Sequence, residues 1–301
     1  MPGLGIPAEP LFRSFTGDVR MLDDRLREPL AWKKPRRVFV CSMSDLFHER
    51  VPFHFIDQVF AVMALCPQHT FQVLTKRPER MAEYFGPVHT MSLCRAGRVG
   101  LQMKEVGREL PLSRFAAVER RDGFPVWPLR NVWLGTSCED QQRADERIPH
   151  LLRCRAAVRF LSCEPLLGPV QLGVDREFFD YGVGRNEQNE PRVHWVIVGG
   201  ESGPKARPCD VEWIRSIVRQ CRESEVPCFV KQLGSRPEVR HPTDPRELPF
   251  YRDGGFLSPW VPEWAAAWIR TFDRKGGDPD EWPAELRVRE WPAPCAIGGA
   301  S

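Results

Sequence analysis

The sequence lacks a long hydrophobic run. Its apolar stretches last only a handful of residues, too short to span a bilayer, so no membrane protein is expected. The start, MPGLGIPAEPLFRSF, has no basic segment followed by an apolar one. No secretory signal is expected, and the default location is the cytoplasm. Charge of one sign is also missing: 43 Lys and Arg against 40 Asp and Glu leave +3. That balance does not argue for a nucleic-acid binder acting by phosphate neutralisation alone. No G-x-G-x-x-G string occurs, so a dinucleotide-binding fold is not indicated. Ten cysteines are present, yet no two enclose a two-residue gap, which removes zinc-knuckle and thioredoxin-type pairs. Cys41, Cys154, Cys163 and Cys228 lie in or beside apolar runs and read as small buried hydrophobes.

What is left is ordinary globular composition, 42% hydrophobic and 28% charged, which excludes a disordered chain or a fibrous repeat. A length of 301 residues fits two domains of about 150 residues or a single α/β barrel.

Short apolar, β-branched runs recur, and each stops abruptly in polar residues. They are Arg37–Cys41, Thr70–Leu74, Asn131–Gly135, Val158–Leu161, Trp195–Val198 and Pro227–Val230. Between them run helical patterns. Phe55, Ile56, Val59, Phe60 and Met63 recur at helical spacing, and Gln141 to Cys154 closes on Ile148, Leu151 and Leu152. Asp210 is a good N-cap for a helix with Val211, Ile214, Ile217, Val218 and Cys221 inward. Strands separated by helices predict βαβ units and a parallel sheet, buried on both faces. The expected fold is α/β: a parallel (β/α) barrel or partial barrel, TIM-like, over residues 1–236. Insertions are expected at about 86–130, with a short helix near Met103, and at 173–192. A Trp- and Pro-rich extension, 237–301, would pack on the barrel with a helix around Trp264 to Phe272. Trp260, Trp264 and Trp268 are four apart and would form one stripe of that helix.

In such folds ligands bind at the C-terminal ends of the strands. Here those ends supply Ser42, Ser44, Asp45, Thr75, Lys76, Arg77, Ser137, Glu139, Glu164, Glu201, Ser202, Lys231 and Gln232. Acid and base recur at the same point of each unit, which predicts one rim of mixed charge. Any one of them could equally be polar because loops are polar. Glu164 at a strand end can bind an amine or a metal, or act as a base. It can equally pair with Lys76, Arg77 or Lys231. Lys76 or Lys231 could form an imine if desolvated, or simply neutralise nearby carboxylates. Gly199-Gly200-Glu201-Ser202-Gly203 would let backbone approach a ligand, with Glu201 taking an amino group or hydroxyl, or would make a tight turn. His48, His54 and His69 lack ligand spacing and read as packing or solvent histidines.

Several ordered strings carry a resemblance: FTGDVR from Phe15, RRVFVCSMSDLFHE from Arg36, FQVLTKRPERM from Phe71 and NVWLGTSCEDQ from Asn131. VRFLSCEPLLGPV from Val158, WVIVGGESGPKARP from Trp195 and KGGDPDEWPAELRVRE from Lys275 add to them. Together they resemble an uncharacterised bacterial and phage family, a phage protein of unknown function also called the three-Cys-motif family. The resemblance spans nearly the whole chain outside the two insertions. It implies a similarity to radical SAM enzymes, a (β/α) barrel with a [4Fe–4S] cluster on an N-terminal cysteine motif. S-adenosylmethionine would lie across the strand ends, and a three-Cys-motif partner protein is the implied companion. Phage association would suggest a nucleic-acid or nucleotide substrate.

The cysteine motif of that family lies upstream of the Phe-Thr-Gly-Asp segment, and no cysteine precedes Phe15 here. Cluster ligation needs thiolates. The expectation is therefore an N-terminally truncated or degenerate member, without its first βα unit and inactive alone as a radical enzyme. Two other classes stand beside it: a non-catalytic interaction protein on a degenerate barrel, and a conventional lyase using Lys76 or Lys231 with Glu164.

Overall fold

A computed structural model describes residues 18–86, 91–111, 115, 125–173, 193–239, 267–268, 273 and 275–292. In chain order the elements are α1 (Asp23–Leu26), α2 (Glu28–Ala31), β1 (Arg37–Val40), α3 (Phe53–Ala64), β2 (Thr70–Thr75), α4 (Pro78–Phe85) and α5 (Met91–Val106). Then follow β3 (Val132–Ser137), α6 (Gln141–Leu152), β4 (Val158–Cys163), β5 (Trp195–Gly199), β6 (Cys209–Asp210), α7 (Val211–Glu223) and β7 (Cys228–Gln232). The chain continues with β8 (Pro237–Val239) and β9 (Ala267–Trp268).

Six strands form one sheet in the order β1-β2-β3-β4-β5-β7, and every pair is parallel. Sequential parallel order places each crossover helix on the same side, and the twisted sheet curls into a half-barrel with helices outside. The architecture is thus α/β with a parallel partial barrel.

Alternation along each strand separates two environments. Phe71, Val73, Val132, Leu134, Leu161, Cys163, Val196, Val198 and Val230 point outward and join one core with the helices. From α3 this core takes Ile56, Phe60 and Met63, spaced about one turn apart. From α7 it takes Val211, Ile214, Ile217, Val218 and Cys221. Asp210 caps α7 by accepting from the Glu212 N–H at 3.0 Å, and Asp140 caps α6 by accepting from the Arg143 N–H at 2.8 Å.

The concave face carries the other parity. Phe160 lies against Gly135, where a Cβ would stand 2.5 Å from the ring. Trp195 collects its neighbours: Trp133 at 5.8 Å, Phe160 at 5.9 Å and Phe229 at 6.1 Å between ring centres. Trp291 stacks on Trp195 at 4.8 Å. The segment that brings it there runs antiparallel along β7, with Val230 N–H donating to Val288 O and Glu290 N–H to Cys228 O. That edge of the sheet is covered.

Two expectations need correction. The helix near Met103 is not short: α5 has 16 residues. Val99, Met103 and Val106 are buried at helical spacing, and glycine and charge between them dilute that signal in the sequence. Trp268 is not on a helical stripe. Ala267–Trp268 pairs antiparallel with β8, because a strand edge brought near from residue 237 offers backbone partners that local periodicity cannot reveal. Trp260, Trp264 and most of the 173–192 insertion lie outside the described residues.

Candidate functional site

The polar ends of the strands meet at one rim. β1 runs into a tight turn in which Ser44 N–H donates to Cys41 O at 3.0 Å, and Ser44 is exposed there. Asp45 follows and turns back. Its carboxylate accepts from Phe47 N–H at 2.9 Å, Thr75 Oγ1 at 2.7 Å, Lys76 N–H at 3.0 Å and Arg77 Nη1 at 3.1 Å. Asp45 therefore laces the end of β1 to the end of β2. A carboxylate with four donors is a structural acceptor, and no lone pair is left for strong general-base work.

The next acid, Glu139, follows β3. Lys76 Nζ lies 2.5 Å from its Oε1, and Arg147 of α6 lies 2.7 Å from its Oε2. Arg147 also donates to Ser137 O at 2.9 Å. Burial by itself would raise the Glu139 carboxyl, but the Lys76 hydrogen bond and both cations outweigh it and hold it below the ordinary 4.5. Glu139 stays ionised.

Glu164 follows β4. It takes Lys231 Nζ on both oxygens, at 2.9 Å and 3.0 Å, and Gln232 Nε2 at 2.8 Å. A register shift between Val198 and Gly199 inserts one extra residue on β7, so that Lys231 and Gln232 both reach Glu164. Gln232 Nε2 also donates to Gly200 O at 2.9 Å.

The glycine pair has a packing role. A Cβ on Gly200 would stand 2.1 Å from Leu233 O, and one on Gly199 2.9 Å from Gln232 O. The close backbone approach is to the chain's own 232–234 segment. Glu201 turns to Arg207, whose Nε lies 2.6 Å away, and that contact holds its carboxyl below the ordinary range. Ser202 is exposed. Two ion-paired groups thus stand at the strand ends: Lys76, Arg147 and Glu139 at the ends of β2 and β3, and Glu164, Lys231 and Gln232 at the ends of β4 and β7. Glu201, Ser44 and Ser202 do not join either.

Sequence reasoning overlooks Arg147 and Gln72. Arg147 is hidden among the charges of α6, where nothing marks which one points at the sheet. Gln72 does carry a signal, being an amide in the middle of an otherwise apolar strand. His69 is buried beside Trp32, 5.6 Å between ring centres, and its Nδ1 accepts from Arg36 N–H at 3.2 Å. A groove of about 570 Å³ opens elsewhere, on the helical side, where Met21, Arg27, His54, Phe55 and Val106 line it. It shares no residue with the rim.

The sequence model of a family described as a protein of unknown function, DUF5131, matches residues 5–258. The chain belongs to the DUF5131 family. No curated protein and no solved structure matches it. The DUF5131 match takes in all six strands of the half-barrel and every rim residue named above, and it ends before the segment that carries Trp291.

An iron–sulfur cluster is implied by the resemblance, and the described side chains do not fit one. Of the eight cysteines whose side chains are described, seven are buried and Cys41 is half-buried. Burial pushes the Cys154 and Cys209 thiols up to about 12 and raises Cys163 and Cys138 further, away from the thiolate that ligation needs. Among the described residues no group of three His, Cys, Asp or Glu could hold a metal ion. No described helix is long and apolar enough to cross a membrane.

Proposed function

We propose that the chain is a radical-SAM-like ligand-binding half-barrel whose rim takes S-adenosylmethionine, and that alone it performs no cluster-dependent radical chemistry. The observation that carries this reading is the Glu164–Lys231 pair at 2.9 Å on the strand-end rim. The methionine end of the ligand is a zwitterion. Its ammonium replaces Lys231 on Glu164, and its carboxylate meets the displaced Lys231. Such an exchange is cheap, because the Lys231 side chain is 52% exposed and an exposed ion pair contributes only about 0–1 kcal/mol. Gln232 keeps Glu164 oriented throughout. Lys76 and Glu139, at the ends of β2 and β3, supply a second cation and anion for the rest of the ligand.

The resemblance adds a phage-associated setting and the three-Cys-motif partner protein as companion. Imine chemistry fits less well. Both lysines are ion-paired and more than half exposed, whereas an imine-forming amine needs to be desolvated and neutral.

A second reading, an interaction protein without a small ligand, draws on one observation. Phe39 and Met43, on the first strand and its loop, leave 43% and 75% of their surface exposed.

Calorimetric titration with S-adenosylmethionine tests the first reading. Binding is expected, with Glu164→Gln and Lys231→Met each weakening it at least tenfold at unchanged circular dichroism. No binding by the parent chain removes S-adenosylmethionine as the ligand of the rim.

A further inference from the structure

We infer that the concave face of the half-barrel, below the charged rim, binds the planar heterocycle of a nucleoside-type substrate, with Gln72 as the side chain that reads it. The inference rests on the rim being a ligand site, and not on S-adenosylmethionine being the ligand.

Gln72 sits mid-strand on β2. Its neighbours Phe71 and Val73 point into the helix-side core, so Gln72 belongs to the concave face. It is only 9% exposed, and its buried Nε2 has no hydrogen-bond partner. Two N–H groups are thus held out of water and unused, which natural proteins avoid unless a site requires it. A leucine would fill the same space without that cost. The other described buried polar atoms without a partner, Arg80 Nε, Gln102 Oε1 and His150 Nδ1, sit on helices. On the sheet Gln72 stands alone among the described residues.

Its surroundings suggest what it is for. In the parallel ladder Gln72 lies opposite Phe39 on β1 and Trp133 on β3. Phe39 is 43% exposed, and Trp133 is half-buried. Leu74, the next residue of the same face, is also half-buried. An amide flanked by one exposed and one half-buried aromatic side chain matches a ligand with a flat π-face and a polar edge. Stacking on Phe39 or Trp133 takes the face. The amide presents donors and an acceptor to the edge, as glutamine does to a base in nucleic-acid recognition. An aliphatic or purely anionic ligand would use neither. Lys76 and Lys231 stand at the rim above, within the same concave parity, for a charged group attached to the heterocycle.

Adenosine, guanosine, cytidine and uridine are titrated singly into the full chain and into Gln72→Leu, with S-adenosylmethionine in parallel. At least one nucleoside is expected to bind, and Gln72→Leu is expected to weaken it tenfold or more. The same variant should keep or raise the thermal midpoint, since it removes an unsatisfied amide. Loss of affinity without loss of stability is a result that a merely structural glutamine does not give. If Gln72→Leu fails to fold, Gln72→Met, closer in length, replaces it. The inference is overturned if no nucleoside binds, or if the variant binds as well as the parent chain, as it would were Gln72 satisfied by a buried water or a ring face. S-adenosylmethionine bound with no nucleoside bound overturns this inference alone. A nucleoside bound through Gln72 without S-adenosylmethionine supports it and removes the earlier reading.

Discussion

The Arg37 guanidinium, on the first strand of the sheet, lies 4.0 Å from the centre of the Trp291 ring, which arrives from beyond the last strand. Five strand pairings separate β1 from β7 in the sheet order, yet one side-chain contact spans the opening. Trp291 reaches that position because its segment pairs with β7 and its indole stacks on Trp195. Cation and ring therefore bring the two ends of the half-barrel into contact.

That tie is measurable. Trp291→Ala should destabilise by about 1–3 kcal/mol, less than a fully buried tryptophan because the residue is 41% exposed. A double-mutant cycle with Arg37→Ala should show a coupling of about 0.5–1 kcal/mol in urea unfolding. Strict additivity would mean that the contact carries no energy.

Gly135→Ala tests the packing of the concave face. The new methyl would meet the fully buried Phe160 ring at 2.5 Å. Overpacking of this kind costs about 1–3 kcal/mol. A variant as stable as the parent in a thermal melt would show that Phe160 can shift.

Glu139 sets a pH dependence. Its carboxyl is held below 4.5 in the folded chain, so it contributes stability that is complete above 4.5 and is lost as pH falls through the lower, folded-state value. The parent chain should lose stability in acid more steeply than Glu139→Gln. Urea midpoints measured as a function of pH check this, and parallel profiles would contradict it.

Asp45 should control the order of the rim loop. Asp45→Ala removes the acceptor shared by Phe47, Thr75, Lys76 and Arg77. A loss of about 2–3 kcal/mol is expected, with Asp45→Asn intermediate. Amide exchange at Phe47 and Lys76 should accelerate in the alanine variant. Unchanged protection there would mean that the loop is held by other contacts.

The Glu164–Lys231 pair makes the opposite prediction for stability. Lys231→Met should cost under about 1 kcal/mol, because the lysine is half exposed and Gln232 still bonds Glu164. A large loss of folded stability in chemical unfolding would mean that the pair is a structural clamp instead of an exchangeable ligand site.

Much of this architecture was legible in the residues. The short apolar run Trp195–Val198, with others like it bounded by polar residues, reads as a strand buried on both faces, and helices between such strands favour parallel pairing. Parallel pairing in turn brings Lys76, Glu139, Glu164 and Lys231 to one end, because all strands point the same way. Asp210 announced its helix, since a cap acts on residues two positions away and needs no tertiary information.

Partner choice was not legible. Charge at a strand end is a local property, but which cation meets which carboxylate depends on neighbouring strands and on a one-residue register shift on β7. Glu201, a glutamate as close to a strand as Glu164, turned to Arg207 because that arginine lies six residues away in its own loop. The glycines before it serve the packing of residues 232–234. Trp268 left the helical spacing for a strand partner brought in from residue 238. Local pattern was enough to specify the strands, their common direction and the end at which charge collects. The pairings at the rim, the Arg37–Trp291 contact and the unpartnered Gln72 amide came from the folded arrangement, because each depends on distances between segments that share no local period.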